Sequence, residues 1–107
     1  MTTEFNNRRE AFEKKFVIDA ELQFKAEVRR NRLIGLWAAD LLGKRNGEAE
    51  AYAADVVAIE YQRSDDRDVL GKIRTDLVDA GIDIPPQIID QKLRSFLEMA
   101  FEELKSA

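Results

Sequence analysis

Residues 24–43 read FKAEVRRNRLIGLWAADLLG, and this stretch decides the architecture. From Leu33 to Leu42 every position is apolar except Gly35 and Asp40. At about 100° per residue, those side chains cover nearly the whole circumference of a helix. A helix that is apolar all round has to be buried. The run is far shorter than the roughly 20 residues that cross a bilayer, so the burial must come from other protein. The first half of the stretch carries Arg29, Arg30 and Arg32 and is expected to project from the packed region. One long helix, central at one end and solvated at the other, frames everything else.

Downstream, Gly43 is placed to end that helix as a left-handed cap. A loop over residues 44–47 follows, and a second helix is expected to start at Asn46 or Gly47, with Glu48 and Glu50 near its positive end. Its stripe is Ala49, Tyr52, Ala53 and Val56, widened by Val57 and Ile59, and the small residues would let it sit close to the central helix. Ser64 followed by Asp65, Asp66 and Asp68 reads as a helix start, a stronger reading than a cation site because the Gly and terminal Glu of a calcium loop are missing. A third helix shows clean spacing through Val69, Leu70, Ile73, Leu77 and Ala80, stops at Gly81, and leaves Ile82 to fold back on Leu77. Pro85 and Pro86 open a fourth, carrying Ile89, Leu93, Phe96, Leu97, Ala100, Phe101 and Leu104. No alternating β pattern is present. The expected fold is all-α: a small four-helix bundle or array over residues 19–107, with a flexible N-terminal arm over residues 1–18. Trp37, on one face with Leu33, Ile34 and Leu41, is expected near the centre of the core.

Composition narrows the function. The 107 residues fit one domain with one modest core. Net charge is −4, which argues against general affinity for nucleic acid or anionic membranes. Residues 1–32 hold eight basic and six acidic groups, and the remainder nine and fifteen, so a mildly basic front precedes an acidic body. There is no Cys and no His, which removes disulfides, thiolate nucleophiles, imidazole bases and the usual zinc sites. No phosphate-cradling glycine loop and no converging acid pair is visible, so neither an enzyme nor a bound cofactor is expected. The N-terminus lacks the apolar segment of a secretory signal, and a soluble cytoplasmic protein, monomeric when free, is the simplest expectation.

The front eighteen residues differ from the rest. Thr2, Thr3, Asn6 and Asn7 are poor helix formers, while Phe5, Phe12 and Phe16 would fall within about 40° of one another on a helix. This aromatic stripe is flanked by Arg8, Arg9, Glu10, Glu13, Lys14 and Lys15. One Phe pair at i,i+4 cannot hold so short a segment folded alone, so helix is expected as its latent form, either packed back as an extension of the first helix or taken up on a partner. Burying three phenylalanines does not offset the ordering of eighteen residues. A flat surface is therefore a poor partner, and a deep cleft that adds hydrogen bonds and charge partners is a good one. Arg29, Arg30 and Arg32 fan out by about 100° and 200°. They suit pairing with acids on other helices, or docking against an acidic protein face, better than a nucleic-acid stripe.

Three runs carry a resemblance. Residues 9–16 (REAFEKKF), residues 24–27 (FKAE) and residues 29–39 (RRNRLIGLWAA) resemble the zeta-subunit family, alphaproteobacterial inhibitors of the F-type ATP synthase. Ala49-Glu50-Ala51-Tyr52-Ala53 and Lys72-Ile73-Arg74 extend the likeness, and the C-terminal third follows it mainly in pattern. The resemblance implies a cytoplasmic four-helix protein, peripheral to the inner membrane when bound to the synthase. Its N-terminal arm would enter an interface between catalytic and noncatalytic subunits of the synthase head and block rotation in the hydrolytic direction. By position, Phe12 and Phe16 would be the anchors and Arg8, Arg9, Glu10, Glu13, Lys14 and Lys15 the polar contacts. Asn6 and Asn7 stand where members usually carry acids. A nucleotide-binding module, with the central arginines meeting phosphates, and a generic helical adaptor are the rival readings.

Overall fold

Helix α1 runs from Thr2 to Leu41, α2 from Gly47 to Gln62, α3 from Asp66 to Asp79 and α4 from Pro86 to Ser106. The computed structural model describes the backbone of residues 2–62 and 66–106 and the side chains of residues 20–62 and 68–106. No strand occurs among the described residues. The all-α, four-helix expectation holds. The start of the central helix does not: the helical backbone begins at Thr2, not near Asp19 or Ala20. Weak local propensity at Thr2, Thr3, Asn6 and Asn7 does not stop a helix that can propagate from an existing one, because only nucleation is costly. Ser64 and Asp65, expected at the start of the third helix, lie outside the described residues.

Both glycine stops are formed as the sequence indicates. Gly43 has φ 77° and Gly81 φ 76°. At the first, the Lys44 amide donates to the Ala39 carbonyl at 2.9 Å and Gly43 to Asp40 at 3.1 Å. At the second, Ile82 donates to Leu77 at 2.8 Å and Gly81 to Val78 at 2.9 Å. These are paired Schellman bonds that satisfy the orphan carbonyls of α1 and α3. Ile82 packs against the core, as its position after Gly81 requires.

The helices alternate in direction. Asn31 of α1 meets Glu60 of α2, while Gly35 lies against Ala53. Arg29 meets Glu103 of α4, while Trp37 lies under Lys92. In each case residue numbers rise along one helix as they fall along the other. Ile34, Ala38 and Ala39 of α1, Tyr52 and Val56 of α2, Val69, Ile73 and Leu77 of α3, and Ile89 and Leu93 of α4 form a single core. Within residues 33–42 only Asp40 is exposed, as an all-round apolar helix requires. Trp37 is a correction. It is only partly buried at the edge of the core, because it faces Lys92 of α4, whose ammonium lies 5.9 Å from its ring, while Ile34 takes the central place.

That close spacing has a definite source. A Cβ built on Gly35 would stand 2.8 Å from the Ala53 Cα and 3.2 Å from its Cβ. Here α1 and α2 cross nearly backbone to backbone.

Tyr52 joins α2 to α3: its hydroxyl donates to Asp76 Oδ2 at 2.8 Å, and Lys72 reaches the same oxygen at 3.1 Å. Burial raises the Tyr52 pKa well above its usual 10.0, helped by the Asp76 hydrogen bond and by the charges of Asp76 and Asp55. The folded state therefore holds this proton more tightly than the unfolded chain. The stabilisation is complete below pH ~10 and is lost as pH rises beyond it. Tyr52→Phe should cost about 1 kcal/mol at pH 8. Urea unfolding of both proteins should show that gap narrowing above pH ~10.

Candidate functional site

The longest dimension of the molecule is 61 Å, against 26 and 23 Å for the other two. Forty helical residues at 1.5 Å each span about 60 Å, so that dimension is the length of α1. By the same rise α2 spans about 24 Å and α4 about 32 Å. The C-terminal ends of both lie beside the Leu22–Val28 part of α1: Tyr61 stacks edge to face on Phe24, and Phe101 and Lys105 border a groove with Leu22 and Gln23. Beyond that point α1 continues toward its N-terminus past the ends of its neighbours.

The sequence-derived arm residues Phe5, Arg8, Arg9, Glu10, Phe12, Glu13, Lys14, Lys15 and Phe16 all lie on this leading part of α1. Their side chains lie outside the described residues.

Arg29, Arg30 and Arg32 are described, and each meets a carboxylate on another helix. Arg29 Nη1 lies 3.2 Å from Glu103 of α4, and Arg32 Nη2 lies 2.9 and 3.0 Å from the two oxygens of Glu50 of α2. Both pairs are half exposed. Arg30 is different. It is 3% exposed, and its Nη2 lies 3.4 Å from Glu60 of α2. The neighbouring Asn31, 0% exposed, accepts from Arg30 Nε at 3.1 Å and donates from Nδ2 to Glu60 Oε2. No buried side-chain nitrogen or oxygen among the described residues lacks a partner.

The expectation that this half of the stretch projects from the packed region is therefore corrected. Ala26, Arg30 and Asn31 are all buried, and a buried guanidinium needs a compensating charge, which Glu60 of α2 brings to Arg30. Pairing with acids on other helices is what the arginines do here. Arg30 is covered, while Arg29 and Arg32 keep an open side. They border a groove of about 840 Å³ floored by Val28, Leu33, Ala53, Val57 and Leu104. Asn31 and Glu60 were not singled out from sequence. An Asn between arginines and a Glu at the end of an apolar stripe carry no signal until tertiary packing joins them.

No group of three or more potential metal-ligating side chains occurs among the described residues. Nor is any helix among them long and apolar enough to cross a membrane.

A family model described as ATPase inhibitor subunit zeta matches residues 1–103. The chain belongs to that family. The match to ATPase inhibitor subunit zeta begins at the first residue, so it takes in the leading part of α1 together with the four-helix body. A protein whose structure was solved by solution NMR is 39% identical, over 79% of this chain and 96% of its own, with a TM-score of 0.69. None of the curated proteins matches the chain significantly. Members of the zeta family are, by that description, ATPase inhibitor subunits, and the resemblance carried by residues 9–16, 24–27 and 29–39 is thereby confirmed.

Proposed function

We propose that this protein inhibits ATP hydrolysis by the F-type ATP synthase, with the segment 1–18 as the inhibitory element. The segment enters, as a helix, an interface between a catalytic and a noncatalytic subunit of the synthase head, while the four-helix body stays outside. Phe12 and Phe16 anchor it, Phe5 extends the stripe, and Arg8, Arg9, Glu10, Glu13, Lys14 and Lys15 meet polar groups along the crevice. The observation that carries this reading is a family match that spans residues 1–103, on a chain whose α1 outreaches its neighbours. Inhibition of this kind needs no catalytic group and no cofactor. The protein acts from the cytoplasm, peripheral to the inner membrane when bound to the synthase and monomeric when free.

The pairing of all three central arginines supports this over phosphate binding, since a nucleotide would meet guanidinium charges already balanced by Glu103, Glu60 and Glu50. The test is a titration of ATP hydrolysis by the matching synthase head. Full-length protein should inhibit, and protein lacking residues 1–18 should not, with the helical content of residues 19–107 retained. Inhibition by the truncated protein would overturn the assignment of the arm.

A further inference from the structure

We infer that Phe24 and Tyr61 form a second contact with the synthase head, a collar that seats on the rim of the crevice once the segment 1–18 has entered. This rests on the inhibitory reading above. Phe24 is 55% exposed and Tyr61 66%. They come from different helices and meet edge to face, with ring centroids 6.3 Å apart and planes at 73°. A single exposed apolar side chain needs no explanation. Two aromatic rings brought together by separate helices, touching each other while most of their surface faces water, do need one. Aromatic side chains of this kind dominate protein interfaces, where large rings with few rotatable bonds act as anchors.

Their position specifies the occupant. A crevice that takes up residues 1–18 has its rim at about Ile18, and Phe24 lies six residues farther on, about 9 Å along the helix. A channel that admits one helix is roughly 10–12 Å wide. The body is about twice that in cross-section, 26 by 23 Å, and cannot follow. The surface that stops against the rim is therefore the end of the body that α1 leaves, where Phe24 and Tyr61 stand. The pair is also held in place: Glu60, next to Tyr61 in the chain, is tied to Arg30 and Asn31 of α1. Anchors fixed before association lose little freedom on binding.

The experiment titrates ATP hydrolysis by the matching synthase head with wild-type protein, the double variant Phe24→Ala/Tyr61→Ala, and Tyr61→Arg. Both rings are exposed, so circular dichroism should show each variant folded as wild type. The double variant should still reach full inhibition, because its arm is intact. Its half-inhibiting concentration should rise at least about tenfold, mainly through faster dissociation. Tyr61→Arg, which keeps bulk at the rim but adds charge, should shift in the same direction. Equal half-inhibiting concentrations, with wild type inhibiting normally, would overturn the collar and leave the inhibitory function standing. Failure of wild type to inhibit would overturn both. Sedimentation of the free protein covers the remaining occupant: a dimer that the double variant dissolves would assign the rings to a second copy and overturn the collar.

Discussion

Replacing Gly35 with Leu should destabilise the four-helix body by about 3 kcal/mol or more, the upper part of the range for overpacking a core. For a domain of this size, that lowers Tm by more than about 10 °C. The reason is the atom it would meet. A new Cβ would lie 2.8 Å from the Ala53 Cα, and main chain cannot rotate aside as the end of a flexible side chain can. The α1–α2 crossing would have to open, loosening Ile34, Ala38 and Val56, which are wholly buried around it. Gly35→Ala sets two effects against each other: helix propensity favours Ala by about 1 kcal/mol, while the same contact opposes it. The contact should win, leaving the variant less stable than wild type. Gly71 supplies the control. It lies within α3 with nothing within 4 Å of a built Cβ, so Gly71→Ala should stabilise by up to about 1 kcal/mol. Thermal and urea unfolding of the three variants would check the ordering, and a stabilised Gly35→Ala would show that the helices part more easily than the geometry indicates.

Glu60→Ala should cost about 3 kcal/mol, the range for removing one partner of a buried ion pair. It takes the Glu60 carboxylate from Arg30, 3% exposed, and leaves the Asn31 amide without the acceptor it uses on α2. Glu60→Gln keeps a carbonyl oxygen for Asn31 and loses only the charge, so it should cost distinctly less. The comparison separates hydrogen bonding from charge. Alanine at Glu103 or Glu50, whose arginine partners are half exposed, should each cost less than about 1 kcal/mol. Urea denaturation of the four variants checks the series. Equal losses at Glu60 and Glu103 would refute the distinction drawn between covered and open pairs.

What could be read from sequence follows from where the forces act. The stops at Gly43 and Gly81, the start at Pro86, and the apolar faces of α2, α3 and α4 depend on neighbouring residues only, and they were legible. The buried end of α1 was legible because apolar side chains at every position from Leu33 to Leu42 but Gly35 and Asp40 leave a helix almost no face to turn toward water. Gly35 gave a faint signal, a lone glycine inside an apolar helix, but its partner Ala53 is visible only in three dimensions. The burial of Arg30 and Asn31 was not legible at all. Charged residues enter an interior only where a partner meets them, and Glu60 lies thirty positions away on another helix. Trp37 was misplaced because size suggests the centre, whereas its ring faces Lys92 on α4 and Ile34 fills the core. The proposed arm residues rest on the spacing of Phe5, Phe12 and Phe16 in the sequence and on what family likeness implies, and their side chains lie outside the described residues.

The three arginine links at positions 29–32 and the hydrocarbon contacts from Leu33 onward divide α1 into two lengths with opposite sensitivities. Added electrolyte weakens the open links of the first length, sulfate-type salts strengthen the second, and chilling erodes the second. The support beneath the emerging rod is thus the part that answers to ionic strength, so changes in the surrounding salt reach the base of the leading segment before they reach the heart of the fold.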